Sequence, residues 1–267
     1  MSLEFAFTVL TWLLFLPRTV YSAECPDPES LEAKVFGGAP APCGRYPHAV
    51  SIRDPDDNAH ICGGVLIDPQ WVLTTDTCLL RIIVSSSAET VPVAIGQFIL
   101  GKPGGEVISA RPVRISDGFA TEPLSGSNIG LLKLQKRSKY QPINLARSQP
   151  PPGSVAVLVG WGRLSARGGF ARALNEAGLA VLSKKACQAK YAPKDISNFL
   201  CAGRELASCA GDEGSPLLLP GGSASGDTVV GIALDGSRIG VSCGDDKPGL
   251  FVAVSSHLEW INGKIRR

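Results

Sequence analysis

Short apolar runs, each broken off by a turn signal, constrain this chain more than any other feature. Ala49–Ile52, Val65–Ile67, Trp71–Thr75, Val91–Ile95, Ile129–Leu134, Val155–Gly160, Val229–Leu234 and Leu250–Val254 all read as strands. Pro-Asp-Asp, Gly-Lys-Pro-Gly-Gly, Pro-Pro-Pro-Gly and Pro-Gly-Gly-Ser separate some of them, and 30 glycines and 20 prolines suit a fold with many turns. Many short strands at this spacing indicate an all-β sandwich or barrel. Two helical patterns stand out: a segment at Lys184–Tyr191, and Ser255–Lys264. The latter opens with Ser-Ser before Leu258, Trp260 and Ile261 and ends in basic residues. The 267 residues, 44% of them hydrophobic, are enough for one large domain or two small ones with a sizeable core. There is no internal repeat and no long low-complexity segment.

The N-terminus reads as a targeting segment. Phe5–Leu16 is an apolar run of twelve, too short to span a bilayer and suited to a signal-peptide core. Val20-Tyr21-Ser22 sets small residues where a signal peptidase reads them, so cleavage is expected after Ser22, with Ala23 as a rival; a basic leading region is missing. Residues 23–34 are acidic and proline-containing and read as a propeptide. No later apolar run is long enough to cross a membrane. In an exported chain, eight cysteines point to disulfides. No Cys-x-x-Cys or His-Glu-x-x-His spacing occurs, so neither a metal nor another cofactor is expected, and there is no Asn-x-Ser/Thr sequon. Formal charge is +2; residues 1–34 hold two basic and five acidic residues, which leaves 24 basic against 19 acidic beyond them. Those charges are dispersed, as on a solvated face, and no nucleic-acid partner is expected.

A set of ordered motifs is more specific. Val35-Phe36-Gly37-Gly38 is followed by His60-Ile61-Cys62-Gly63-Gly64, Trp71-Val72-Leu73-Thr74-Thr75-Asp76-Thr77-Cys78 and Asn128-Ile129-Gly130-Leu131-Leu132. Then come Gly160-Trp161-Gly162, Gly211-Asp212-Glu213-Gly214-Ser215-Pro216, Pro248-Gly249-Leu250-Phe251 and Trp260-Ile261. In order and spacing these resemble the trypsin/chymotrypsin family of serine proteases (peptidase S1) over nearly all of Val35–Ile261. The resemblance implies two six-stranded antiparallel β-barrels with a C-terminal helix, in a domain spanning residues 35–267. It also implies disulfides Cys62–Cys78, Cys187–Cys201 and Cys209–Cys243. Cys25 and Cys43 are then left to each other, a pairing that holds the propeptide to the domain after cleavage; an intermolecular bond through one of them is the alternative.

The resemblance covers the scaffold and not the chemistry. Serine protease catalysis needs a hydroxyl nucleophile, an imidazole to take its proton and a carboxylate to orient the imidazole. The matching positions hold Glu213, Thr77 and Asn128. Threonine has no group titrating near neutrality, asparagine cannot stabilise an imidazolium as a carboxylate does, and glutamate as acyl acceptor would form an anhydride. None of the three histidines, His48, His60 and His257, falls where the resemblance places the base. Gly211 and Glu213 occupy the oxyanion-hole positions. In the cleft, Ala207 stands where trypsin carries its cation-binding aspartate, and Leu234-Asp235-Gly236 replaces Ser-Trp-Gly. Ser215 replaces a glycine, and Ser237–Cys243 carries an insertion. Gly249 and Gly236 would keep a pocket open over an apolar floor. Lys34, Val35 and Asp212 match the activation apparatus, in which cleavage after Lys34 frees an α-amino group that reaches Asp212; use and unused inheritance both fit.

These residues imply an extracellular, secreted, non-catalytic homologue that binds a protein partner as a decoy, inhibitor or regulatory cofactor. Two alternatives remain: an active endopeptidase with unusual site residues, and an anion- or glycan-binding defence protein.

Overall fold

The computed structural model describes residues 25, 38–85, 89–114, 128–163, 169–192, 195–203, 210–234 and 247–266. A two-residue strand β1 (Ala39–Pro40) precedes β2 (Ala49–Arg53), β3 (His60–Asp68) and β4 (Trp71–Thr74). Helix α1 (Asp76–Ser85) follows, then β5 (Val91–Ile95), β6 (Glu106–Arg114) and β7 (Gly130–Leu134). Strands β2-β3-β4-β7-β6-β5 close an antiparallel barrel, sealed where Val50 of β2 pairs with Ile95 of β5.

The second half contains β8 (Asn144–Leu145), β9 (Val155–Gly160), β10 (Asn175–Ala180), helix α2 (Lys184–Tyr191) and β11 (Phe199–Ala202). It continues through β12 (Pro216–Leu219), β13 (Thr228–Ala233) and β14 (Gly249–Ala253) to a 3-10 turn at Val254–His257 and helix α3 (Leu258–Ile265). One sheet runs β1-β10-β9-β12-β13-β14-β11, with β8 parallel to β13. Its six strands from β10 to β11 curl until the ends meet. Val181 bridges Ala202, Leu182 N–H donates to Cys201 O and Gly203 N–H donates to Ala180 O. This is the second barrel, joined at a single bridge instead of a full ladder.

Alternation along each strand divides the side chains between a barrel interior and the seam between barrels. Val72 of β4 points into the first barrel while Leu73 packs in the seam. Leu158 of β9 lies inside the second barrel while Val159 joins the seam. Phe251 and Val252 of β14 divide the same way. The seam is the largest apolar cluster, and it includes Trp161, Ile129 and Ile232. Burying each such side chain contributes roughly 1.5–3 kcal/mol over leaving it exposed, so the two barrels hold together as one body.

Several elements differ from the sequence expectation. The run Trp71–Thr75 ends a residue early as a strand, because Thr75 instead caps α1. Its Oγ1 accepts from Cys78 N–H at 3.3 Å, and its carbonyl accepts from Leu79 N–H at 3.3 Å. Strands β6, β10, β11 and β12 lie outside the runs that read as strands; β11 and β12 are short apolar runs of four residues, whereas β10 reads Asn-Glu-Ala-Gly-Leu-Ala, and its pairing with β9 and β1 makes it a strand. The C-terminal helix starts at Leu258 and not Ser255. The Ser255-Ser256 pair lies in the 3-10 turn, and no side chain caps either element.

Disulfides join Cys62 to Cys78, Cys187 to Cys201 and Cys25 to Cys43; no described cysteine is free. The first ties β3 to α1 and the second ties α2 to β11. The third fastens Cys25 to the loop before β2. Cys209 and Cys243 lie outside the described residues, as do residues 1–22. No described helix is long and apolar enough to cross a membrane.

Candidate functional site

The turn that carries Glu213 is held on all sides by backbone. Ser215 N–H donates to Asp212 O at 2.9 Å, Gly63 N–H to Glu213 O at 2.7 Å and Gly214 N–H to Ala233 O at 2.9 Å. Gly214 has φ +81, and a Cβ there would overlap Gly63 O and Thr74 Oγ1, so glycine is required by both conformation and space. The turn is thus wedged between β3 and β13, one strand from each barrel.

Thr77 stands in the first turn of α1 and Asn128 two residues before β7; both are buried. Asn128 Oδ1 accepts from Thr77 N–H at 3.1 Å, satisfying one of the amides that a helix N-terminus leaves without an intrahelical acceptor. Thr77 Oγ1 donates to Thr75 Oγ1 at 3.0 Å, which turns its hydroxyl back into the helix cap. Cys78 Sγ lies 3.5 Å from Glu213 O, which brings the first turn of α1 against the Glu213 turn.

Glu213 is 4% exposed, and its Oε2 accepts from Gly211 N–H at 2.7 Å. Gly211 has φ +94. On the other side of the same peptide unit series, Gly211 O accepts from His60 Nε2 at 3.0 Å. That contact puts the imidazole proton on Nε2, so Nδ1 accepts from Ser51 Oγ–H at 2.8 Å. The His60 ring sits between Trp161 (centroids 5.8 Å apart) and Phe170 (6.3 Å). Burial lowers its pKa to about 4, with the Gly211 carbonyl acting against that. Phe170 covers Gly211 so closely that a Cβ on the glycine would overlap the ring. Nothing in the sequence singled out Phe170; its place depends on the bridge between Arg163 and Phe170.

Asp212 is buried, and its Oδ1 accepts from Gly162 N–H at 2.9 Å. A Cβ on Gly162 would overlap this carboxylate, which explains the glycine at that place in Gly160-Trp161-Gly162. The hydroxyl of Ser215 also faces Gly160, and it has no hydrogen-bond partner among the described residues.

Of the pocket positions, Leu234 directly follows β13 and donates its N–H to Leu250 O at 3.1 Å. Gly249 opens β14; a Cβ there would come within 3.0 Å of the Phe251 ring. Ala207, Asp235, Gly236, Lys34 and Val35 lie outside the described residues. Among the described residues no group of three His, Cys, Asp or Glu could hold a metal ion.

This two-barrel architecture with its site at the seam has clear relatives. The Trypsin family model matches residues 35–261, and the chain belongs to that family. Glucanase inhibitor protein 3 of Phytophthora sojae is 32% identical over 246 residues, covering 87% of this chain and 89% of its own length. The protein of the same name from Phytophthora infestans is 34% identical over 241 residues, 85% and 87% of the two chains. Chymotrypsin-2 of the hornet Vespa crabro is 31% identical over 235 residues, 85% and 98%. Among solved structures, mouse neuropsin, a serine protease expressed in the limbic system of the brain, superposes with a TM-score of 0.72 at 25% identity, covering 85% of this chain and 98% of its own.

Proposed function

We propose that this chain is a secreted, non-catalytic member of the trypsin family that acts by binding another protein, and that it does so as an inhibitor. One observation carries the reading. At the nucleophile position stands a glutamate whose carboxyl is engaged by the Gly211 N–H, the donor that family catalysis directs at the developing oxyanion. The neighbouring positions supply no base: the Thr77 hydroxyl donates to Thr75 and the Asn128 amide oxygen accepts from Thr77. The disulfides and the signal-like Phe5–Leu16 support export.

The likeness to the Phytophthora glucanase inhibitor proteins over most of both chains makes a glucanase the partner class to test first. Purified protein is expected to leave peptide and ester substrates intact and to take no fluorophosphonate label. Titrated into a panel of glucanases, it is expected to slow at least one and to co-elute with it in gel filtration. Stoichiometric labelling would overturn the non-catalytic reading. Failure to bind or slow any glucanase would overturn the inhibitor reading and leave the first intact.

A further inference from the structure

We propose that the outer face of the first barrel, along β6 and the turn that follows β7, is a binding strip for a linear anionic polysaccharide. The inference goes beyond the inhibitor reading and uses no residue of the seam.

Arg111 of β6 and Lys133 of β7 are register partners, and both are exposed, so their side chains stand side by side on the outer face of the sheet, about 5 Å apart at Cβ. Like charges set directly opposite each other destabilise a strand pair, whereas an opposite charge there would stabilise it. Lys133 Nζ lies 5.3 Å from the centre of the Trp71 ring, which holds the ammonium along the sheet surface. The chain beyond β7 stays against β6. Gln135 N–H donates to Ser109 O at 2.9 Å, Lys139 N–H donates to Glu106 Oε1 at 3.0 Å, and Ser138 Oγ–H donates to the same oxygen. Lys136, Arg137 and Lys139, all exposed, thus continue the row alongside the stretch of β6 from Arg111 to Glu106. At the rise of an extended strand that is a line of about 17 Å. Two carboxylates border it. Glu106 accepts from the turn itself, and Glu89 meets Arg111 at 3.5 Å with both side chains mostly exposed, a pair that contributes little. Among the described residues these five cations make no other ion pair.

The occupant follows from what the strip has and what it lacks. Protein interfaces are organised around buried aromatic or aliphatic anchors. The exposed large apolar side chains among the described residues are Ile83, Val84, Val107, Val155 and Phe170; Val107 alone borders the strip, and one valine is a poor anchor. A polysaccharide with a carboxylate or sulfate on its units repeats its charge along a line and needs no such anchor. Its binding to a row of lysines and arginines is driven by the release of the counterions that both carry.

The test measures binding of the purified chain to fluorescent polygalacturonate, which carries carboxylates, and to fluorescent dextran sulfate, with uncharged dextran as control. Binding to at least one of the two polyanions and not to dextran is expected, and the one that binds identifies the acidic group the strip takes. Its affinity should fall about ten- to a hundredfold between 50 and 200 mM salt, as for a handful of released counterions. The double variant Arg111→Gln, Lys133→Gln should lose about tenfold or more at low salt, and Lys136→Gln, Arg137→Gln a similar amount. Lys184→Gln, Lys185→Gln, which removes the same charge from the exposed start of α2, should stay within about twofold of the parent. Circular dichroism confirms that each variant is folded. Equal losses in all three double variants would overturn the proposal, since net charge and not the strip would then be responsible. No binding of either polyanion at 50 mM salt would also overturn it. So would strip variants that keep the polyanion and lose a glucanase, which would assign the face to a protein partner.

Discussion

Position 213 shows how a turn built from backbone contacts holds a glutamate against its own frame. The turn around it keeps its glycines, its buried Asp212 and its contact with Gly63, yet the side chain that projects from it now satisfies a neighbouring amide. Restoring the nucleophile alone is therefore expected to achieve little. Glu213→Ser would supply a hydroxyl with no imidazole to take its proton. The triple change Thr77→His, Asn128→Asp, Glu213→Ser should show weak ester hydrolysis, because it rebuilds the acid–base pair beside a freed Gly211 N–H. Ester turnover and fluorophosphonate labelling across the single and triple variants check this. Turnover by the single variant matching that of the triple would mean that another residue serves as base. His48 presents a second residue-scale case. It is 1% exposed, and both ring nitrogens lack a partner among the described residues. Replacing it by phenylalanine removes a buried polar ring that nothing satisfies, and a gain of about 1 kcal/mol at neutral pH is expected in urea unfolding.

At the scale of elements, α1 is the piece that joins first-barrel packing to the site. Its cap, Thr75, is wholly buried and accepts from Cys78 N–H while receiving the Thr77 hydroxyl. Thr75→Ala is expected to cost about 1–2 kcal/mol, as helix N-caps do, with Thr75→Ser recovering most of it. Chemical denaturation of the two variants measures the difference, and equal losses would mean that the methyl packing and not the cap is what matters. The Cys62–Cys78 bond ties this helix to β3, so the site residues on α1 and the Gly63 contact to Glu213 are fixed to one another covalently.

For the whole molecule, acid sensitivity follows from two buried imidazoles. Burial lowers both His48 and His60 to about 4; at His48 the Asp227 carboxylate opposes this and Arg45 adds to it. Their unfolded value is near 6.5. Between those values the unfolded chain binds protons that the folded chain does not, so stability falls as pH drops from about 6.5 to about 4. The loss amounts to up to about 3 kcal/mol for each residue. Above pH 6.5 this contribution is fully present. The His48→Phe variant should show a shallower slope of unfolding free energy against pH across this window, measured by urea titration at several pH values. An unchanged slope would mean that His48 reaches solvent in the native state. Asp227 also anchors the halves: Arg45 donates to it at 2.5 and 2.8 Å and Gly221 N–H at 2.8 Å. Burial works to raise the Asp227 carboxyl, yet these donors hold it below the usual carboxylate range.

What could be read from the sequence was what local chemistry decides. Short apolar runs with turn residues between them determined an all-β chain, and helix α2 over Lys184–Tyr191 was legible from its own pattern. The motif order pointed to the family, and with it to the expectation that Thr77, Asn128 and Glu213 stand at the triad positions. Strand β10, by contrast, has no signal of its own, because glycine and alanine become a strand only when β9 and β1 offer a ladder on either side. Helix α1 was hidden because its cap, Thr75, extends a strand-like run, and only the contact with Cys78 settles where the strand stops. The same holds for the site. Residue identity puts a glutamate at position 213, but that its carboxyl bonds Gly211, that His60 and Ser51 brace the opposite side, and that Phe170 covers them are facts of three-dimensional packing. They join residues up to 151 positions apart, and no local pattern encodes contacts between segments that meet only after both barrels have closed.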